Sequence, residues 1–332
     1  MTTRSRRIAV IGAGIAGLAC ARTLKDAGAE VTVFEKEPVP GGRAGTLIEE
    51  AGPYDPGAQY FTAAAERFVT QVRRWDAEGI VQHWRGRILA FEPGYIEDRT
   101  ALAERFVAVP GMRRLGLHLA REIEMRYSMP IAALARADGG WKLVAQGVAE
   151  PVGPFDVVCV ALPSDAAAAL AQGHSRLAEA ARTVSWDPCW TVMMALSGKS
   201  GADFDGAFIN DDPILGWAAL DSGKPRRGRV EGVAERWVLN AKPRWSRRYY
   251  EMEEAEVVRW LARSFSARLR RSLVPLQARA LRWTHAAPLN PLPERFLWDA
   301  PLGLGMAGDW CDGPRVEGAY LSGQALAEAV LG

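Results

Sequence analysis

The feature that most constrains this chain is the segment 8–46, where an apolar run, IAVI, enters Gly12, Gly14 and Gly17, continues as a helical stretch and returns as a second apolar run ending at Glu35. In a strand, turn, helix, strand unit the first glycine makes the tight turn. The second lets a pyrophosphate approach the backbone, and the third lets the helix pack on the sheet. Phosphates then rest on a helix N-terminus, where free N–H groups and the helix dipole favour negative charge. Glu35 closes the strand 31–34 and is placed to accept hydrogen bonds from an adenosine ribose, which disfavours a 2′-phosphate on that nucleotide. Leu18, Ala21 and Leu24 recur at helical spacing and are expected to face inward.

The same residues imitate a secretory signal, even a twin-arginine one, because Arg4, Arg6 and Arg7 precede an apolar run and Ala19-Cys20-Ala21. Glycines inside that run and an acid at the ribose position fit the nucleotide fingerprint better, and cleavage there would destroy the nucleotide site. The chain is therefore read as unprocessed and cytoplasmic. With 332 residues and 48% hydrophobic content it can bury a large core, most simply as two lobes. No run of eighteen apolar residues predicts a spanning helix. A net charge of +2 implies no polyanionic partner and no nucleic acid. Arginines cluster at Arg226, Arg227 and Arg229 and at Arg268, Arg270 and Arg271, and read as solvated faces. Cys20, Cys159, Cys189 and Cys311 are widely spaced, so reduced, buried thiols are expected rather than a disulfide framework, and the four histidines lack the spacing of a zinc site.

Beyond Glu35, the turn 38–43 presents Arg43, whose guanidinium could pair with a phosphate. The motif DPGAQYFT at 55–62 follows, with Gly57 permitting close backbone approach and Tyr60 and Phe61 equally readable as core aromatics. A helix is predicted over 66–80, then strands and turns over 81–95, which break the alternation of strand and helix and mark the start of a second lobe. VPGM at 109–112 leads into a predicted helix over 113–126 and a hairpin, 131–136 with 141–145. FDVVCVAL at 155–162 reads as one strand buried on both faces, and Pro163-Ser164-Asp165 starts a helix, a second point where a cofactor can meet the end of a parallel sheet. From 184 to 281 tryptophan-rich alternation predicts a second, antiparallel sheet, with strands at 190–196, 207–209, 217–220 and 236–241. An amphipathic helix over 253–273 covers it with Val257, Leu261, Phe265 and Leu269. A strand over 280–285 follows. Finally a strand, then Gly308-Asp309-Trp310, then Arg315-Val316-Glu317-Gly318 opening a long helix, repeat the pattern of the N-terminal end, so both ends are assigned to one nucleotide-binding lobe. A helix start near Glu317, Gly318 and Ala319 can aim N–H groups at an electron-rich atom, such as the N1–C2=O edge of a reduced flavin, while Asp309 holds the ribityl or pyrophosphate region.

Taken in order, GAGIAG with Glu35, GGR at 41–43, DPGAQYFT, VPGM, VALP at 160–163, DPCW at 187–190 and GDWCDGPRVEGAYLSG at 308–323 resemble the bacterial renalases, within the flavin amine oxidase superfamily, along nearly the whole chain. The resemblance implies an α/β fold: a Rossmann-like FAD-binding domain of the p-hydroxybenzoate hydroxylase and amine oxidase type (1–65, 100–182 and 293–332) with a second, mainly antiparallel substrate domain (66–99 and 183–292). It implies non-covalent FAD, held by Gly12, Gly14, Ile15, Ala16, Gly17, Glu35 and Lys36 at the N-terminal turn. Further along the chain it implies contacts from Gly42, Arg43, Gly57, Ala58, Gln59, Tyr60, Met129, Ala161 and Pro163. From the C-terminal motif come Gly308, Asp309, Arg315, Val316, Glu317 and Ala319. The implied reaction is oxidation of the 2-dihydro and 6-dihydro isomers of NAD(P)H, with hydride transfer to flavin N5 and reoxidation by O2 to hydrogen peroxide. Aromatisation drives it, so no strong general base is needed, in keeping with a sequence lacking a catalytic Ser-His-Asp set or metal set.

Two positions depart from the family pattern. Renalases carry a histidine before their WS motif where this chain has Asn240, and a tyrosine in the RW strand where this chain has His285. With Tyr60 and Trp283 these form the implied catalytic set. Asn240 both donates and accepts, so a carboxamide or pyridine substrate fits, and its plain reading is a polar strand end. His285 reads as a substrate ligand, a proton donor or an edge-strand histidine. Cys311 beside Trp310 invites a covalent flavin thioether, but the matching renalase turn has the cysteine without the bond. Two other functions stay open: a flavin oxidase or dehydrogenase of a small amine or other metabolite, and a flavin-fold binding module without chemistry. Oligomeric state is not legible.

Overall fold

The computed structural model describes residues 6–332, so Arg4 of the signal-like run lies outside the described residues. Contacts divide the chain into two units. One runs to Gly42 and includes Leu115–Trp186 and Ala287–Gly332, and the other comprises Arg43–Arg114 and Asp187–Ala286.

In the first unit the apolar run becomes the strand Arg7–Ile11, parallel to Glu30–Phe34 on one side and Val157–Val160 on the other. Ala9 and Val10 are fully buried, as a strand covered on both faces requires. Leu304–Met306 extends the sheet in parallel beside Val157–Val160, and Glu124–Arg126 does the same beside Glu30–Phe34. Leu297–Asp299 closes one edge antiparallel. The helices Ile15–Asp26 and Val316–Leu331, from opposite ends of the chain, pack closely where Gly323 lies against the Ala16 backbone. A three-stranded antiparallel sheet, Ile131–Ala137, Gly140–Ala145 and Val152–Phe155, accompanies them.

The second unit is built on a seven-stranded sheet in the order Gln277–Pro288, Trp186–Leu196, Glu235–Ala241, Leu215–Leu220, Gly206–Ile209, Ile88–Glu92 and Tyr95–Asp98. Helices Pro243–Arg248 and Glu254–Leu269 cover one face. There Trp237, Leu239, Ala241, Val192 and Met194 meet Val257, Leu261 and Phe265 in a continuous apolar core. The residues between them along each strand, Thr191, Arg236 and Asn240 among them, belong to the other face.

Several expectations from the sequence need correction. The run 155–162 is not one strand: Val152–Phe155 belongs to the three-stranded sheet and Val157–Val160 to the six-stranded one. The chain changes sheets at Asp156, whose N–H is held by the Arg7 carbonyl and whose carboxylate accepts the Arg7 N–H. The helix expected over 113–126 ends at Leu119, because Glu124–Arg126 finds a strand edge to pair with. The covering helix stops at Leu269, where Arg270 takes a left-handed backbone with φ 50°. Arg227 is no solvated residue: its side chain is 1% exposed and paired with Asp55. The segments 43–65 and 100–114, expected with the nucleotide lobe, cluster with the second unit. Asp55 ties them together by accepting from Thr46 Oγ1 at 2.6 Å and from the Met112 N–H at 3.0 Å. Among the described residues no helix is long and apolar enough to cross a membrane.

Candidate functional site

The nucleotide site of the first unit is set by backbone. Gly12 has φ +101°, and a side chain there would press 2.5 Å from the Ala161 carbonyl oxygen, while one on Gly17 would fall onto the Gly12 carbonyl. Gly14 differs: a Cβ there meets nothing within 4 Å. Its hydrogen therefore borders open space at the first turn of the helix Ile15–Asp26, which has no side-chain cap. This is the cradle a pyrophosphate needs, with helix N–H groups left for it. Ile15 and Ala16 supply that first turn, and a side chain on Gly42 would meet the Gly14 Cα at 3.4 Å.

Glu35 is 7% exposed and held over this turn, with Oε2 accepting the Ala13 N–H at 2.6 Å and Oε1 accepting the Glu37 N–H at 3.0 Å. Its backbone bonds to Arg126 and Met129, so the segment carrying Met129 lies beside Glu35 at the end of the strand. Lys36 lies one residue on and is exposed. Ala161 donates to the Ile11 carbonyl at 2.8 Å, and Pro163 caps the helix Ser164–Ala171 beside it. At the other end of the chain, Gly308 donates to Ser322 Oγ at 3.0 Å, fixing the turn that carries the buried Asp309. The helix Val316–Leu331 starts at Arg315, again without a side-chain cap, with Glu317 buried in its first turn and the Ala319 N–H bonded back to Arg315. Two uncapped helix starts and a buried acid beside the glycine turn fit FAD, a dinucleotide that would set phosphates at one helix and an electron-rich flavin edge at the other. Cys311 is fully buried, and burial followed by the nearby Asp309 charge pushes its thiol well above the ordinary range, so it stays protonated.

The second unit holds Arg43, Gly57, Ala58, Gln59 and Tyr60 together with Asn240, Trp283 and His285. Gly57 sits directly on the Arg43 backbone, Ala58 donates to the Arg43 carbonyl at 2.8 Å, and the Arg43 guanidinium reaches the Ala286 carbonyl. Asn240 lies in the middle of the seven-stranded sheet, opposite Thr191 on one neighbour and Trp217 on the other, on the face away from the covering helices. Trp283 and His285 lie on that same face of the edge strand. Its alternate residues Ala278 and Ala280 enter the helix-covered core, and Arg282 turns to Glu251 on the same side.

A directed set of hydrogen bonds crosses this face. The Trp217 indole donates to Gln59 Oε1 at 2.9 Å, Gln59 Nε2 donates to Asn240 Oδ1 at 3.3 Å, and Thr191 Oγ1 donates to the same Oδ1 at 3.3 Å. Tyr60 packs between Trp84 and Trp217 at 5.8 and 5.6 Å, and burial pushes its phenol above the ordinary value, with Arg105 pulling the other way. Trp283 Nε1 is buried with no protein partner. The structure thus gathers Tyr60 and Asn240 through Gln59, and sets Trp283 and His285 on the same sheet face across the intervening strand. Trp217 and Thr191 were not singled out from sequence. Their signal is the strand register that puts both opposite Asn240, and register is not written in a single strand.

Residues 10–73 match the family described as NAD(P)-binding Rossmann-like domain. A stretch of 56 residues is 48% identical to hydroxyneurosporene desaturase of Cereibacter sphaeroides, covering 17% of this chain and only 11% of that relative's length. The whole chain is similar in structure to a candidate protoporphyrinogen oxidase from Exiguobacterium sp. 255-15, with a TM-score of 0.76, 14% identity and 99% of each chain covered. It is also similar to cyclohexylamine oxidase from Brevibacterium oxydans, with a TM-score of 0.71, 13% identity and 98% of each chain covered. At these identities the likeness is one of fold: a Rossmann-like α/β part and a second part with an antiparallel sheet.

Proposed function

We propose that this chain is an FAD-dependent oxidoreductase of renalase type, which oxidises the 2-dihydro and 6-dihydro isomers of NAD(P)H to NAD(P)+ and passes the electrons to O2. The observation that carries this reading is the sheet face around Asn240, where the carboxamides of Asn240 and Gln59 meet beside Trp217, which packs on Tyr60, and where Trp283 lies on the same face. A flat dihydropyridine bearing a carboxamide matches such a surface in shape and polarity. Its oxidation produces an aromatic ring, so it asks the protein for orientation rather than for proton abstraction. FAD, when bound, supplies the two-electron acceptor. In this reading Asn240 and Trp283 orient the substrate, the neutral Tyr60 phenol lines it, and His285 is a polar group within the same face. Glu35, the turn at Gly12, Gly14 and Gly17, the helix start at Arg315 to Ala319 and Asp309 hold the cofactor. The renalase-like motifs along the chain support the same substrate class, as the relatives' Rossmann match supports the cofactor. The signal-like run serves as the central strand Arg7–Ile11, which supports a cytoplasmic protein.

A second reading, oxidation of a small amine, is favoured by the aromatic rings on that face and by the fold shared with cyclohexylamine oxidase. Borohydride-treated NAD and a panel of primary amines, assayed in parallel for peroxide release, separate the two. The renalase-type reading expects peroxide with the dinucleotide isomers and none with amines, and the reverse pattern would replace it.

A further inference from the structure

We infer that Trp217 and Gln59 fix the hydrogen-bonding polarity of Asn240, so that this position selects a substrate group that accepts hydrogen bonds, the carbonyl oxygen of a ring carboxamide, over one that donates. The inference deepens the proposed function and rests on its placing Asn240 against the substrate. An indole N–H can only donate. Because it donates to Gln59 at 2.9 Å, the oxygen of the Gln59 amide faces Trp217, and the NH2 faces Asn240. Asn240 must then present its oxygen to Gln59, and the Thr191 hydroxyl takes up the same oxygen from the adjacent strand. Thr191 is fully buried and cannot turn to water. What remains of Asn240 for a ligand is its pair of N–H donors. The buried, unpartnered indole N–H of Trp283 lies on the same face and adds a donor of its own. A carboxamide oxygen satisfies such donors, whereas an ammonium group meets them donor to donor. Trp217, Gln59 and Thr191 are thus positioning residues, acting through Asn240.

The test is equilibrium binding of nicotinamide to the FAD-loaded protein, followed by the flavin visible spectrum, with benzylamine as the donor-bearing control. Wild type should bind nicotinamide in preference to benzylamine, with an affinity flat between pH 5 and 8. Asn240→Asp, which keeps the shape but removes the donors, should lose about tenfold in affinity at neutral pH, the scale of a hydrogen bond lost and an acceptor set against an acceptor. It should recover part of that loss in acid, where the carboxyl regains a proton to donate, a pH dependence that a merely structural role would not create. Trp217→Phe, which frees Gln59 to rotate, should weaken nicotinamide several-fold while adding nothing in the Asn240→Asp background. Equal binding of nicotinamide by wild type and Asn240→Asp, absent binding to wild type, or additive losses in the double variant would each overturn the inference. Flavin that is not reduced by the dihydro isomers, with carboxamide binding still dependent on Asn240, would remove the proposed reaction and leave this inference standing.

Discussion

Glu35 Oε2 accepts the backbone N–H of Ala13 at 2.6 Å, which pins the acid at the end of one strand to the glycine turn at the end of its neighbour. The carboxylate is thereby aimed before any nucleotide arrives. Glu35→Gln keeps the shape but gives up the charge-assisted bonds, which are roughly twice as strong as neutral ones. The purified variant should bind FAD about tenfold more weakly, as read by flavin fluorescence on dilution. Unchanged affinity would remove Glu35 from the ribose site.

Gly14 and Gly17 should respond oppositely to the same substitution. Gly14→Ala places a methyl group in open space, with a backbone φ of −73° that alanine accepts, so the apoprotein should stay within about 0.5 kcal/mol of wild type while losing FAD. Gly17→Ala drives a methyl group into the Gly12 carbonyl and should destabilise the apoprotein itself. Urea denaturation of the two apoproteins and their flavin content after reconstitution would read this contrast. A Gly14→Ala protein that holds FAD normally would show that the cradle is not where the phosphates lie.

Asp55 lies at the centre of a buried ion cluster with Asp221, Lys224 and Arg227, all with side chains at most 1% exposed. Lys224→Met leaves carboxylates buried with less compensation, and the expected loss is about 3 to 5 kcal/mol of unfolding free energy. Burial is the largest influence on Asp55 and raises its carboxyl above the ordinary range, against the pull of Lys224. The native state therefore holds this proton more tightly than the unfolded chain does. The group's contribution to stability is greatest in acid and declines as pH rises from about 4, the ordinary value, through the raised native value. Unfolding curves of wild type and Asp55→Asn across that range should show the difference changing in that direction. The opposite slope would mean that the cations, and not burial, dominate.

The flavin should come away without a covalent bond. Cys311 is buried with its thiol held protonated, and burial likewise pushes Cys189 up to about 11. Acid precipitation of the yellow protein should leave all flavin in the supernatant, and a thiol reagent at neutral pH should label neither cysteine in the native state. Flavin retained in the pellet would revive a thioether at Cys311.

What the sequence made legible was whatever is local. The turn from Gly12 to Gly17, the acid at Glu35 and the helix opening at Arg315 each occupy a few consecutive residues whose types follow from backbone geometry and dipole. The set around Asn240 is not local. Trp217 and Gln59 stand 158 residues apart and Gln59 and Asn240 181 apart, so only the tertiary fold, strand register for Trp217 with Asn240 and a loop brought onto the sheet for Gln59, unites them. The same holds for Arg227, read as solvated because its neighbours are charged, yet buried because Asp55 comes to it from 172 residues away. The split of 155–162 between two sheets was hidden for another reason. An apolar run shows that a segment is buried without showing which sheet it joins.

The central claim is that this protein takes a hydride from a misreduced nicotinamide. Its most direct test is anaerobic stopped-flow mixing of the yellow protein with 2-dihydro-NAD(P) and 6-dihydro-NAD(P), following the long-wavelength flavin band, and then admission of air. Rapid bleaching with at least one isomer is expected, followed by return of the band with stoichiometric peroxide. Flavin that stays oxidised with every isomer, in protein that bleaches with another reductant such as a small amine, would contradict it.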